Sequence, residues 1–226
     1  MSDVNAALDA ILERAPVLPV LTVGDVESAV ALGSVLRDAG LPVVEVTLRT
    51  PAALDAIRAL RDRVDGLEVG AGTIVTPADL ERAREAGATF AVSPGATEAL
   101  YRAAADSTLP LLPGVATASE IMAGLGHGWR RFKFFPAGAS GGVAALRAFG
   151  GPLARVRFCP TGGIGPDNFG DYLALANVMT VGGSWMVPAD AVASGDWSRI
   201  ETLARECAER AAADRPATND NDKTTG

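Results

Sequence analysis

Short apolar runs rich in β-branched and aromatic residues alternate along the chain with alanine-rich stretches whose apolar positions recur every three to four residues. The runs are VLPVLTV (17–23), VVEVTLR (43–49), LEVGAGT (67–73), TFAVSPG (89–95), LPLLPGVAT (109–117), RFKFFPA (131–137), RFCPTGG (157–163) and MTVGGSW (179–185). Their starts lie 20 to 26 residues apart, and the stretches between them read as helices, most plainly VESAVALGSVLRDAG, AALDAIRALRDRV and PADLERAREAG. Eight strand–helix units in 226 residues predict an α/β fold of the (β/α)8 TIM-barrel kind, with a doubly wound open sheet as the competing arrangement. Ahead of the first run, MSDVNAALDAILERA predicts a short amphipathic helix. No linker or low-complexity break interrupts the pattern before about residue 213, so 1–213 is expected to form a single domain. DRPATNDNDKTTG, residues 214–226, is expected to be a disordered polar tail.

Alternation with period 2 assigns faces to the runs. In VVEVTLR, Glu45, Thr47 and Arg49 fall on one side and Val44, Val46 and Leu48 on the other. The valine side suits packing against helices, so the polar side is expected to face the barrel interior, where an unpaired charge would be very costly. In RFKFFPA the same rule groups Arg131, Lys133 and Phe135 against Phe132 and Phe134. Thr73 ends its run on the parity of Val69 and Ala71. Glu45 and Lys133 thus read as interior charges on the second and sixth runs, with room to pair.

Composition sharpens the question of Lys133. The chain contains two lysines, and the other, Lys223, lies in the polar tail; eighteen arginines supply the remaining positive charge. An arginine would serve for a surface charge, so position 133 calls for an amine. A lysine can instead snorkel outward or act only as the partner of Glu45, but fully buried lysines are rare without a partner or a task. A buried amine suits Schiff-base chemistry, in which an imine with a ketone acts as an electron sink and permits cleavage one carbon further away. The other carrier of chemistry is glycine. Most runs end in small or hydroxyl residues (GAGT, SPG, PGVAT, FPAGASGG, PTGG, VGGS), which in a barrel lie on the active face. The pairs in PTGGIGPDN (160–168) and VGGSW (181–185) fall in the last two strand ends, where barrels commonly bind phosphate through backbone N–H groups.

Charge and rarer residues remove other classes. The net charge of −7 argues against nucleic acid or an anionic membrane as the main partner, so an anionic ligand would be held by local arginines and backbone amides. No stretch approaches the roughly 18 apolar residues of a membrane span, and the start lacks a basic n-region followed by an apolar h-region, so a cytoplasmic location is expected. Cys159 and Cys207 form neither a disulfide framework nor a metal-ligand spacing and read as two neutral thiols. The single histidine, His127 in GLGHGWR, makes a histidine zinc site or a Ser-His-Asp triad an unsuitable reading.

VVEVTLRT, VGAGTI, FAVSPGAT, PLLPGVAT, FKFFPA, RFCPTGGI and VGGSWMVPAD, in this order, resemble the bacterial 2-keto-3-deoxy-6-phosphogluconate (KDPG) aldolase family, which also acts as 4-hydroxy-2-oxoglutarate (KHG) aldolase. The resemblance spans almost the whole chain. It implies a class I aldolase without metal or other cofactor, a small-molecule keto-acid substrate and a homotrimer. It further implies that Lys133 is the Schiff-base lysine and Glu45 the general acid/base. Arg49 and Thr73 would hold the pyruvate carboxylate, and Gly162, Gly163, Gly183 and Ser184 the phosphate. Pro94, Phe135 and Thr161 would form the pocket wall. FPAGASGG departs in loop composition, which bears on substrate tuning rather than on the chemistry. Two alternatives remain at this level: an aldolase for the galactonate epimer, and a non-catalytic phospho-sugar-binding barrel, against which the Glu45/Lys133 pair speaks.

Overall fold

The computed structural model describes residues 4–214. Nine strands are described: β1 (Leu18–Leu21), β2 (Val43–Thr47), β3 (Glu68–Gly72), β4 (Phe90–Val92), β5 (Leu111–Leu112), β6 (Gly114–Val115), β7 (Arg131–Phe134), β8 (Arg157–Pro160) and β9 (Gly182–Gly183). All their pairings are parallel, in a six-stranded order β5-β4-β3-β2-β1-β9 and a three-stranded order β6-β7-β8. Neighbours follow chain order without the reversal that a doubly wound sheet requires. The architecture is therefore an α/β fold on a curled parallel sheet with helices outside it.

The eight expected runs each contribute to this sheet, with two differences. The run at 109–117 is split into β5 and β6 because Pro113 has no N–H to give to the ladder. Its carbonyl still accepts from the Lys133 N–H at 2.9 Å, so pairing with β7 continues across the break. The run at 179–185 is reduced to two glycines, Gly182 and Gly183. Isolated bridges, Phe158 with Val178 and Thr161 with Gly182, join that segment to β8 and its end.

The helices follow from the 3.6-residue pattern and from their caps. α1 covers Val4–Leu12, α2 Val26–Asp38, α3 Ala53–Arg63 and α4 Pro77–Glu85. α5 covers Glu98–Asp106, α6 Ala118–Gly126 and α7 Gly142–Gly150. α8 (Phe169–Leu173), α9 (Ala189–Ser194) and α10 (Trp197–Asp214) complete the set. α4 begins at Thr76, whose hydroxyl accepts from the Asp79 N–H while the Asp79 carboxylate takes the Thr76 N–H, with Pro77 following at the first helical position. α10 runs through Asp214, one residue beyond the boundary expected at 213. The rest of the expected tail, from residue 215 and including Lys223, lies outside the described residues.

Two apolar layers result. Val44, Val46, Phe132, Phe134 and their helix partners form the outer one. Leu18, Val43, Phe90, Val92, Leu112, Cys159 and Met179 form the inner one, together with Leu8 and Leu12 of α1. α1 thus stops one end of the sheet, and its charges show which end. Asp9 pairs with Arg131 at the start of β7 (2.5 Å), Arg14 with Glu68 at the start of β3 (2.7 Å), and Glu13 with Arg157 at the start of β8 (3.5 Å). The strand beginnings are closed, and the strand ends are left for a site.

Candidate active site

Glu45 sits in the middle of β2 and Lys133 in β7, two strands that are not neighbours in the sheet. Their side chains meet across the interior. Lys133 Nζ lies 3.1 Å from Glu45 Oε1 and 3.2 Å from Oε2, with the residues 6% and 1% exposed respectively. The parity reading of both strands is therefore correct, since Val44, Val46, Phe132 and Phe134 pack in the outer layer. An ammonium held between both oxygens of one carboxylate satisfies the charge that each brings into the interior.

The surroundings of this pair are built from small residues. A Cβ on Gly72 would fall on the Glu45 carboxylate, so the second glycine of GAG is what makes room for it. The sequence reading did not single out Gly72, although glycine inside a strand is a known sign of close approach. Cys159 faces Lys133 directly in the β7–β8 register. Burial pushes its thiol up to about 12, against the opposing pull of the Lys133 cation, and Glu45 adds to the rise. The thiol is thus kept protonated beside the amine. Cys207, the other cysteine, lies elsewhere, on α10.

Arg49 and Thr73 follow the ends of β2 and β3. Arg49 Nε donates to Thr73 Oγ1 at 3.2 Å, and among the described residues the guanidinium has no carboxylate partner. Parity alone would send Thr73 outward with Val69 and Ala71, both of which are in the outer layer. Its backbone instead takes φ 63°, a left-handed conformation that breaks the alternation and brings the hydroxyl to Arg49. Arg49 and Ser184 both line a cavity of 690 Å³ that runs from the end of β1 between α2 and α9; Lys133 and Glu45 are not part of its lining.

On the opposite side, the Phe135 ring lies 5.4 Å from Lys133 Nζ and borders the position where Gly162 would carry a Cβ. Gly162 and Gly163 have φ of 95° and 73°, a pair that residues with side chains rarely adopt. Thr161 is buried, and its Oγ1 has no hydrogen-bond partner among the described residues. Pro94 follows β4 and is exposed; its carbonyl borders Gly114 at the start of β6. Gly183 is buried, while the neighbouring Ser184 is exposed. The residues expected to act together thus all lie at the strand ends or on the inner faces of the strands.

His127 is elsewhere. It caps α6, bonds Glu98 at 2.7 Å and stacks on Tyr101. Among the described residues no group of three or more His, Cys, Asp or Glu is arranged to hold a metal ion, and no helix is long and apolar enough to cross a membrane.

A buried amine paired with a carboxylate at the ligand-binding end of a curled parallel sheet defines the class: an α/β protein equipped for imine chemistry. Comparison with known proteins narrows this. Residues 8–203 match the model of the KDPG and KHG aldolases. The "KHG/KDPG aldolase" of Escherichia coli K12 is 52% identical over 211 residues, covering 93% of this chain and 99% of that one. A KDPG aldolase of Legionella pneumophila, crystallised with pyruvate captured as a covalent carbinolamine, superposes with a TM-score of 0.86 at 45% identity, over 88% of this chain and 97% of that one. The enzyme of Zymomonas mobilis ZM4 with 3-phosphoglycerate gives 0.84 at 45% identity, over 89% and 94%. This chain belongs to the KDPG/KHG aldolase family.

Proposed function

We propose that the protein is a class I aldolase cleaving KDPG to pyruvate and glyceraldehyde 3-phosphate, and KHG to pyruvate and glyoxylate. The observation that carries this reading is the Lys133 amine held across the interior by both oxygens of Glu45. The covalent pyruvate carbinolamine in the Legionella relative supports it.

In the proposed reaction, Lys133 Nζ, after giving a proton to Glu45, attacks C2 of the keto acid. Glu45 returns a proton to the departing hydroxyl, and the carbinolamine loses water to form the iminium. A base, Glu45 or a water it orients, removes the C4 hydroxyl proton. The C3–C4 bond breaks, the aldehyde leaves, and the electron pair is accepted by the iminium as an enamine. Protonation at C3 and hydrolysis release pyruvate and restore the amine. The imine is the electron sink, so no step runs through a metal or other cofactor.

Arg49 is assigned to the substrate carboxylate, which its guanidinium can meet in a bidentate pair, with Thr73 beside it. Gly162, Gly163, Gly183 and Ser184 are assigned to the phosphate. Pro94, Phe135 and Thr161 are assigned to the pocket wall. The curled sheet is read as a complete eight-stranded (β/α)8 barrel. The join at Pro113 and the bridges between β8 and the segment leading into β9 support that reading. A single domain over 1–213, a homotrimer and a cytoplasmic location complete the proposal, on the family resemblance.

Pyruvate release from KDPG and from its galactonate epimer, each with and without EDTA, tests the reading. Faster release from KDPG, unchanged by EDTA, is expected. No pyruvate from either substrate, or activity lost to EDTA and restored by a divalent metal, would overturn it.

A further inference from the structure

The two glycine pairs are held from outside the pocket, and both supports lead to α10. Phe169, the first residue of α8, is 1% exposed. The Arg210 guanidinium of α10 stands 4.7 Å from its ring centroid, and the Trp185 ring stands 5.4 Å away, tilted by 31°. Arg210 Nη1 also donates to the Pro166 carbonyl at 2.5 Å, and its Nε lies 3.4 Å from Asp214 Oδ2. Pro166 belongs to the loop that begins with Gly162 and Gly163. Asn168 closes that loop on itself, with Nδ2 donating to the Gly163 carbonyl at 3.1 Å and Oδ1 accepting from the Gly165 N–H at 2.9 Å. Trp185 serves the second pair: a Cβ on Gly183 would fall on its indole ring, and the same side chain borders the Cys207 thiol of α10.

Glycine N–H groups that present themselves to an anion have no side chains to fix them, and glycine loses more freedom on ordering than any other residue. Holding such groups before the ligand arrives spares that cost at binding. We infer that Arg210 is a positioning residue for the phosphate site, clamping the Gly162–Asn168 loop through Pro166 and sharing Phe169 with the Trp185 support of Gly183. The inference rests on the assignment of the glycine pairs to phosphate. Arg210 acts on the loop backbone from the helix surface, through the Pro166 carbonyl.

Steady-state kinetics of Arg210→Ala, Arg210→Lys and Ser184→Ala on KDPG and on KHG, which lacks the phosphate, test it. Arg210→Ala is expected to raise KM for KDPG about 3- to 10-fold, since small misplacements of binding groups are costly. Its KM for KHG should stay within about twofold, with kcat for both substrates likewise. Arg210→Lys, which keeps a cation and a donor, should recover most of the KDPG affinity. Ser184→Ala touches the phosphate site itself and should be selective for KDPG in the same sense. If Ser184→Ala is selective and Arg210→Ala behaves as wild type, the clamp is refuted and the phosphate assignment stands. If Arg210→Ala raises both KM values equally, its role is general packing and the clamp is refuted. If Ser184→Ala shows no selectivity, the phosphate assignment fails and takes the clamp with it.

Discussion

Glu45 can be a structural counter-ion for Lys133 or the group that moves protons for it, and Glu45→Gln separates the two. The amide keeps the shape and still accepts a hydrogen bond from Nζ, so the fold should survive. If Glu45 carries protons, turnover should fall by about 10²–10⁴, read as kcat on KDPG; near wild-type turnover would remove Glu45 from the mechanism. That both residues face inward was legible from period-2 alternation, because apolar neighbours on each strand left the polar set one place to go. Thr73 was not legible that way: its φ of 63° reverses the direction that strand parity gives it, and only the family resemblance pointed to it. Gly72 was missed for a different reason, and Cys159, rightly read as a neutral thiol, was not placed beside Lys133. What they do depends on a neighbouring strand, the Glu45 carboxylate in one case and Lys133 in the other, and neither neighbour is visible in the local pattern.

At the scale of elements, the helix interiors were readable from their period, whereas their ends depend on single hydrogen bonds. α6 begins like α4, with the Thr117 hydroxyl accepting from the Glu120 N–H and the Glu120 carboxylate taking the Thr117 N–H. Thr117→Ala should cost about 1 kcal/mol, a fall in Tm of about 2–4 °C for a domain of this size. The carboxylates give the caps a pH dependence. The Ala116 N–H is the largest influence on Glu120, holding its carboxyl below the usual 4.5 against the opposing effect of burial. For Asp79 burial is the largest single influence and pushes upward, but Arg82, Thr76 and two backbone N–H groups together hold it below 3.8. A carboxyl lowered by folding contributes stability that is complete above its unfolded value and is lost as pH falls through its folded value. Calorimetry from about pH 6 to pH 3 should therefore show Tm falling on the acid side, with a shallower fall in Glu120→Gln. An unchanged slope in that variant would exclude Glu120 from the acid response. The split of the expected strand at 109–117 had a visible cause in Pro113, but the run reads as continuous because its residues are apolar on both sides of the proline.

For the whole molecule, the division of labour between the two ends of the sheet is what places the chemistry. α1 fills the end where strands begin, and Asp9 grips the Arg131 side chain through both carboxylate oxygens, at 2.5 and 2.6 Å. Sequence parity put Arg131 on the face of Lys133, but its partner is more than a hundred residues away and only the tertiary structure supplies it. Asp9→Ala removes two charge-assisted hydrogen bonds and should cost about 2 kcal/mol in denaturant unfolding. KM for KDPG should be unchanged, because the opposite end carries the site; a large rise in KM would mean that the two ends are coupled. The central claim concerns the single amine at that site, and it reduces to one measurement: incubation with pyruvate and borohydride, followed by mass spectrometry of the digested protein. The account predicts complete inactivation with a stable pyruvate-derived adduct on Lys133, none on Lys223, and neither labelling nor activity in Lys133→Arg, whose guanidinium stays protonated and cannot form the imine. An active enzyme after treatment, with Lys133 unmodified, would contradict it.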